Sequence, residues 1–292
     1  MEIRLLRYFW AVAEEGNFSR AARVLNITQP TLSRQIKELE EMLNTQLFER
    51  GQQEVSLTQD GLLLKERAEE ILTLDTKLEE TFSNRGAKLT GRLTIGCVEA
   101  DNSDTLAMML EELLADHPQA TFEILTGTGD EITDKLEKGL IDLALLLEPV
   151  HVKNVESLIL PREESWGFLV SKTDFAAQKE QITPADISGM PVLISKRSEV
   201  QKLLADWGHI GYEELTIIGH FNLIFNVFSL VENQVGAAFT IKGAVANRLS
   251  SAVKFIPLDP VVKTNCLLVW KKRIHTPVVK EFISRCIHAF KA

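Results

Sequence analysis

The sequence predicts an α/β protein in which an N-terminal winged helix-turn-helix is joined by a long linker helix to a larger two-lobed module. Three observations carry this expectation. Two short amphipathic helices are separated by a tight turn before Leu43. A long helical pattern then runs from about Thr58 to Ser83. From Arg92 onward, apolar strand-like runs alternate with helical stretches, the pattern of parallel sheets with both faces covered.

The elements follow in order. Leu5, Leu6, Phe9, Val12 and Ala13 recur at helical spacing and predict a first helix over about Ile3–Glu15, ended by Gly16. Asn17 or Ser19 caps a short second helix, Arg20 to Leu25, whose Ala21 and Ala22 let a crossing helix approach closely. Asn26 and Ile27 make the turn. Thr28 caps a third helix, Gln29 to Leu43, with Pro30 in its first turn, where a missing N–H costs nothing. Leu32, Ile36, Leu39 and Leu43 form its core face. Glu49 to Leu57 alternates around Gly51 as a small hairpin, the wing. Thr58 caps the long helix, with Leu62, Ala68, Ile71, Leu72, Leu74, Leu78 and Phe82 on one side. An apolar stripe of that length calls for a partner helix, although packing on its own chain is the alternative. Asn84 to Gly91 reads as a hinge.

Beyond it, strands are predicted at Leu93–Val98, Thr121–Leu125, Leu143–Leu147, Gly167–Ser171, Val192–Ser195, Thr216–Gly219, Gly236–Thr240 and Thr264–Trp270. Helices are predicted at Thr105–Asp116, Glu131–Lys138, Glu199–Trp207, Leu223–Glu232, Ile241–Asn247 and Pro277–Phe290, the last with Thr276 as cap.

Composition narrows the function. The 292 residues exceed one ordinary core, and 45% hydrophobic with 25% charged residues is a globular balance. No apolar run spans a bilayer, and Arg4, Arg7, Glu14 and Glu15 with no small-residue cleavage site argue against a signal peptide; the expected location is cytoplasmic. Cys97, Cys266 and Cys286 show no CxxC spacing and read as buried reduced thiols. The net charge of −9 opposes DNA binding only as a whole-chain sum. Between Asn17 and Lys37 lie Arg20, Arg23, Arg34 and Lys37 with no acid, so the local sign suits phosphate.

The runs Asn17-Phe18-Ser19-Arg20-Ala21-Ala22, Thr28-Gln29-Pro30-Thr31-Leu32-Ser33-Arg34-Gln35-Ile36, Leu47-Phe48-Glu49-Arg50 and Leu57-Thr58-Gln59-Asp60-Gly61 resemble those of LysR-type transcriptional regulators. Gly91-Arg92-Leu93-Thr94-Ile95-Gly96 and Gly139-Leu140-Ile141-Asp142-Leu143-Ala144 resemble that family's effector domain. The resemblance spans essentially the whole chain. It implies a ligand-responsive DNA-binding regulator and a homo-oligomer, a dimer or a dimer of dimers with paired linker helices. It also implies a Rossmann-like effector module similar to type II periplasmic binding proteins. The expected partners are double-stranded DNA, a small-molecule effector and further copies of the chain, with RNA polymerase a further candidate. The corresponding division is 1–58 for DNA binding, 59–90 for linker and hinge, and 91–292 for the effector module. Lobe one takes about 91–160 plus 264–292 and lobe two about 161–263.

A recognition helix needs side chains near its N-terminus that reach base edges, flanked by groups that hold phosphate. Gln29 and Gln35 suit adenine and Arg34 suits guanine; Thr28, Thr31 and Ser33 are short donors, and Pro30 is an apolar contact. Arg20, Lys37 and the wing's Arg50 complete the candidate set. Plain solvation would also place Gln, Ser and Arg on an exposed face. For Gln35 taken alone that reading is preferred; for Gln29 and Arg34 the resemblance overrides it.

Effector candidates come from strand ends, where ligands of such lobes bind. They are Glu99, Ala100, Asp101, Asn102 and Ser103 after the first strand, Thr128 between Gly127 and Gly129, and Glu148 at the first crossover. In the second lobe they are Ser195 and Lys196 beside Arg197, ahead of a helix capped by Ser198, then Asn222, Phe225, Phe239 and Thr240. The resemblance places a Ser or Thr near the position of Ala100 to hold a ligand carboxylate. Ala100 lacks that hydroxyl, and Glu99 and Asp101 add negative charge. An enzyme is a poorer reading: no GxGxxG, P-loop, GxSxG or HExxH occurs, and no metal or cofactor is expected. A free solute-binding protein conflicts with the DNA-binding third, and a cysteine redox sensor with the scattered thiols.

Overall fold

The computed structural model describes residues 1–50, 55–83 and 89–290. It divides into two compact units, Met1–Arg85 and Gly86–Ala292.

In the first unit, α1 (Ile3–Glu15) stops at Gly16, which takes the left-handed conformation at φ 57°. Asn17 caps α2 (Phe18–Val24) by accepting hydrogen bonds from Ser19 N and Arg20 N, so the helix starts two residues before the expected Arg20. Asn26, at φ 54°, makes the turn. Thr28 caps α3 (Gln29–Leu43), with its side chain accepting from Thr31 N. Phe9, Leu32, Ile36 and Leu39, all at most 1% exposed, form the core with Leu5, Leu6, Ala21 and Ala22. The strands β1 (Phe48–Arg50) and β2 (Val55–Leu57) pair antiparallel, and the tip of the wing, with Gly51, lies outside the described residues. In α4 (Gln59–Ser83), Gly61 sits against the Leu47 carbonyl; an added Cβ would lie 2.1 Å from that oxygen. The apolar stripe of α4 divides. Leu64, Ala68 and Leu72 pack on the core, whereas Leu62, Leu63, Ile71, Leu74, Leu78 and Phe82 are exposed.

The second unit holds β3 (Gly91–Cys97), α5 (Ser103–Asp116), β4 (Ala120–Thr126), α6 (Gly129–Lys138), β5 (Leu143–Leu147) and β6 (Val155–Ser171). It continues with β7 (Val192–Ser195), α7 (Ser198–Gly208), β8 (Ile217–Phe221), α8 (Val227–Glu232), β9 (Ala237–Ile241), α9 (Lys242–Ala246), β10 (Val253–Pro257), β11 (Lys263–Lys271) and α10 (Pro277–Phe290). One lobe is ordered β4-β3-β5-β11-β6 and the other β8-β7-β9-β6-β10. Each has three parallel strands followed by an antiparallel strand from the other crossing and then a last strand. The two lobes thus repeat one plan.

The strand β6 serves both lobes. It pairs β11 from Val155 to Ser165 and β9 from Trp166 to Leu169. Sequence pattern finds only its last part, Gly167–Ser171, because Glu156, Pro161, Arg162, Glu163 and Glu164 break the apolar run. β10 is likewise unforeseen, and α8 begins at Val227 rather than Leu223. Thr276 does not cap α10 with its side chain; the hydroxyl is buried without a hydrogen-bond partner among the described residues, while its carbonyl accepts from Lys280 N at 3.0 Å.

Candidate functional site

Two surfaces meet the chemistry expected of the sequence. On α3, Gln29, Pro30, Thr31 and Arg34 are exposed and Ser33 and Gln35 half-buried, while Leu32, Ile36 and Leu39 are buried in the core. Among the described residues Gln29, Ser33 and Arg34 have no side-chain hydrogen bond or ion pair, so their donors face outward unspent. The neighbouring candidates are spent differently. Thr28 and Thr31 share a hydroxyl contact of 2.8 Å, Gln35 Nε2 donates to Glu38 at 2.8 Å, and Lys37 lies 3.5 Å from Glu41. Arg20 donates to the Glu15 carbonyl and lies 3.6 Å from its carboxylate. Arg50 ends β1, and its side chain lies outside the described residues.

In the second unit the carboxyl ends of the six parallel strands converge on a cleft between the lobes, where open α/β sheets bind ligands. Val98 and Glu99 follow β3, Gly127 to Gly129 follow β4, and Leu147 ends β5. Across from them stand Ser195 and Arg197, Asn222 to Ile224, and Phe239 to Ile241 with Ala244. Trp166 forms part of the wall, its ring stacked on Phe239 at 5.0 Å. The enclosed space is about 100 Å³, well below the roughly 300–1,000 Å³ of ligand pockets. The lobes are tied across it by the chain's own charges. The Glu99 carboxylate accepts from Ile224 N at 2.8 Å, and Arg197 Nε donates to Asp130 at 3.2 Å. Thr128 caps α6 in a box with Glu131, which spends its hydroxyl.

Of the sequence candidates, Glu99, Thr128, Ser195, Asn222, Phe239 and Thr240 line the cleft. The others lie outside it. Ala100 is buried. Asp101 N–H donates to Glu164, and its carboxylate and that of Asp104 accept from Arg162 at 3.2 and 3.1 Å. Asn102 is fully buried, donating to the Arg162 carbonyl at 2.7 Å, and Ser103 Oγ donates to the Ala100 carbonyl. This loop grips β6 instead of opening onto the cleft. Glu148 accepts from Asn265 and lines a separate groove, Lys196 is exposed, and Phe225 lies under the Arg248 guanidinium at 3.9 Å. Ser198 opens α7 without capping it; Arg197 holds the cap position. Trp166 and Ile224 are functional-looking positions the sequence did not flag. Arg197 was visible as a cation at a strand end.

Glu164 binds the lobes from the strand they share. Its side chain is 1% exposed and accepts from Asp101 N on one lobe and Gly243 N on the other. Burial raises its pKa against the lowering effect of those two donors. Gly243 permits the approach, since an added Cβ would lie 2.3 Å from Asp101 N. Burial also pushes the thiols of Cys97, Cys266 and Cys286 up to about 12. Among the described residues no group of acids, histidines and cysteines is arranged to hold a metal, and no helix is long and apolar enough to cross a membrane.

A helix-turn-helix with an unspent outward face, in one chain with a two-lobed binding module, defines a ligand-responsive DNA-binding regulator. Known proteins agree. Residues 3–62 match the family described as bacterial regulatory helix-turn-helix protein, lysR family, and residues 86–291 the LysR substrate binding domain. The activator IlvY of Salmonella typhimurium is 34% identical over 97% of this chain and 98% of its own. The activator HcaR of Escherichia coli is 29% identical over 97% and 96%. The crystal structure of CbnR, a LysR family transcriptional regulator, superposes with a TM-score of 0.76 at 22% identity, covering both chains completely. CbnR has also been seen with its target DNA, and that structure gives 0.74 at 22% identity over 99% of this chain and 100% of the other. This chain belongs to the LysR family of transcriptional regulators.

Proposed function

We propose that the α3 face reads one half of a two-part operator and that a small molecule in the inter-lobe cleft alters how paired chains are spaced on it. The observation that carries the reading is the unspent set of Gln29, Ser33 and Arg34, two of them exposed and Ser33 half-buried, near the start of a capped helix. Such groups reach base edges, with Arg34 suited to guanine and Gln29 to adenine. Thr28, Pro30, Thr31, Lys37, Arg20 and Arg50 hold backbone and register around them. Pairing runs through α4, whose Leu63, Ile71, Leu74, Leu78 and Phe82 recur at helical spacing on an exposed face. A dimer, or a tetramer built from two, satisfies that face. The protein acts in the cytoplasm, without a cofactor and without catalysing a reaction.

Arg34→Ala is expected to weaken operator binding by roughly 1–3 kcal/mol and relax preference at one base position. A gel-shift series on operator variants checks this; unchanged affinity and preference would remove Arg34 from the interface. For the cleft, Asn222→Trp fills an exposed lining position. It is expected to change footprint length on operator DNA and the scattering profile of the free protein. Identical profiles and footprints would detach the cleft from DNA binding.

A further inference from the structure

The charges of the cleft name the class of molecule it accepts; the inference rests on the cleft being the effector site. The charged side chains among its described lining residues are Glu99 and Arg197. Arg197 is spent within the chain, donating to Asp130 at 3.2 Å with Glu199 at 4.0 Å. Glu99 is spent by half: Oε2 accepts from Ile224 N, whereas Oε1 has no hydrogen-bond partner among the described residues. The Ile224 amide, a cleft donor that could serve a carboxylate, is therefore already filled by one, and a second anion arriving there meets like charge.

A second observation points the same way. A groove of about 270 Å³ adjoins the cleft at Gly129, Leu147 and Arg197, and Asp130, Asp134, Glu137 and Glu199 line it. Lys138 pairs with Asp134 at 3.0 Å, and Arg197 lies 3.2 Å from Asp130 and 4.0 Å from Glu199, so two paired cations stand against four acids and the approach keeps a net negative charge that concentrates cations. The remainder of the cleft wall is uncharged, with Thr128, Ser195, Asn222 and Thr240 among apolar residues, and it includes the stacked rings of Trp166 and Phe239, surfaces that favour a desolvated cation over an anion. We propose that the cleft takes a small organic cation, an ammonium head on a compact apolar body, with Glu99 as its counter-charge. Binding draws Glu99 away from Ile224 N and so releases one of the two ties across the cleft.

The test uses two probes with one carbon skeleton and opposite heads, isobutylammonium chloride and sodium isobutyrate, titrated at millimolar concentration into the full chain with sodium chloride as the ionic-strength control. In thermal shift and calorimetry the ammonium is expected to stabilise the protein saturably, while the carboxylate matches the salt control. Glu99→Gln keeps an acceptor for Ile224 N and removes the charge; it is expected to weaken the ammonium by about tenfold or more. Glu99→Gly vacates the amide and is expected to gain a response to isobutyrate that the wild type lacks. The proposal is overturned if isobutyrate stabilises the wild type as strongly as the ammonium does. It is overturned equally if the ammonium response survives Glu99→Gln, or if neither probe binds. Asn222→Trp separates this failure from that of the cleft itself. Silent probes with a footprint altered by Asn222→Trp condemn the ligand class alone. An ammonium response undiminished by Asn222→Trp, with the footprint unaltered, condemns the cleft as the effector site.

Discussion

The two units present polar groups in opposite ways. On α3 Gln29, Ser33 and Arg34 have no side-chain partner among the described residues, so DNA would complete them. Between the lobes the corresponding groups are turned on one another: in the cleft Glu99 takes Ile224 N and Arg197 takes Asp130, and beside it Glu164 takes an amide from each lobe. A surface that meets a large, ever-present polyanion can remain open to water at little cost. A cleft that must wait for a small molecule keeps its buried polar groups satisfied in the meantime, because an unpaired buried group costs about 1–3 kcal/mol.

The contrast breaks if removing an α3 group costs stability or removing a cleft group does not. A core truncation sets the scale. Phe9→Ala deletes a fully buried ring 5.2 Å from that of Phe48, and should destabilise the first unit by about 3–5 kcal/mol. Hydrogen exchange should place that loss in α1 to α4 and leave β3 to α10 unchanged. Next in size, Glu164→Gln sets an amide N–H₂ against one of two backbone donors, and should cost about 1–3 kcal/mol. Its pH dependence has a defined sign. The unfolded chain loses this proton in the ordinary glutamate range, whereas the fold retains it to higher pH. Within that window the native state binds more protons, so the Glu164 contribution declines as pH rises and is whole below it. Denaturant melts across the window should show the decline in the wild type and a flatter profile in the variant; an equal slope in both would assign it elsewhere.

Smaller still, Asn17→Ala removes the acceptor for two amide donors at the start of α2 and should cost about 1 kcal/mol in urea unfolding. Arg34→Ala should leave stability within about 0.5 kcal/mol while weakening DNA binding, which sharpens the contrast most directly. At the bottom of the scale the thiols should do nothing. With Cys97, Cys266 and Cys286 buried and pushed up to about 12, a thiol reagent near neutral pH should label none until denaturant is added. Rapid labelling of the native protein would reinstate a redox role.

Legibility in the sequence follows the same division. Helices α1 and α3 run between the residues their apolar spacing and flanking Gly16 and Thr28 indicate, and β5, β7 and α10 are equally local in origin. The outward face of α3 is legible because a helix shows its polar side within a few residues. The cleft is not, since Glu99 meets Ile224 from 125 positions away and nothing near either residue encodes the meeting. The candidates drawn from strand ends were half diverted for a similar reason. Asp101 to Ser103 follow β3 as expected, but Arg162 and Glu164, arriving along β6, claim Asp101 and Asn102, and Ser103 turns back on the Ala100 carbonyl. Those same charged residues hid the first part of β6 from an apolar count.

The shared strand has a mechanical consequence. The chain passes between lobes where β6 changes partners at Ser165 and Trp166, and again between Leu258 and Lys263. The backbone of Trp166 is bonded to both sides of the return passage, donating to the Val262 carbonyl and accepting from Leu258 N at 3.0 and 3.1 Å. Two adjacent crossings bonded to each other join the lobes along one line, and a rotation about that line disturbs these bonds less than a slide does. The indole that lines the cleft belongs to the residue whose backbone holds those crossings together, so a molecule in the cleft would touch the joint between the lobes itself.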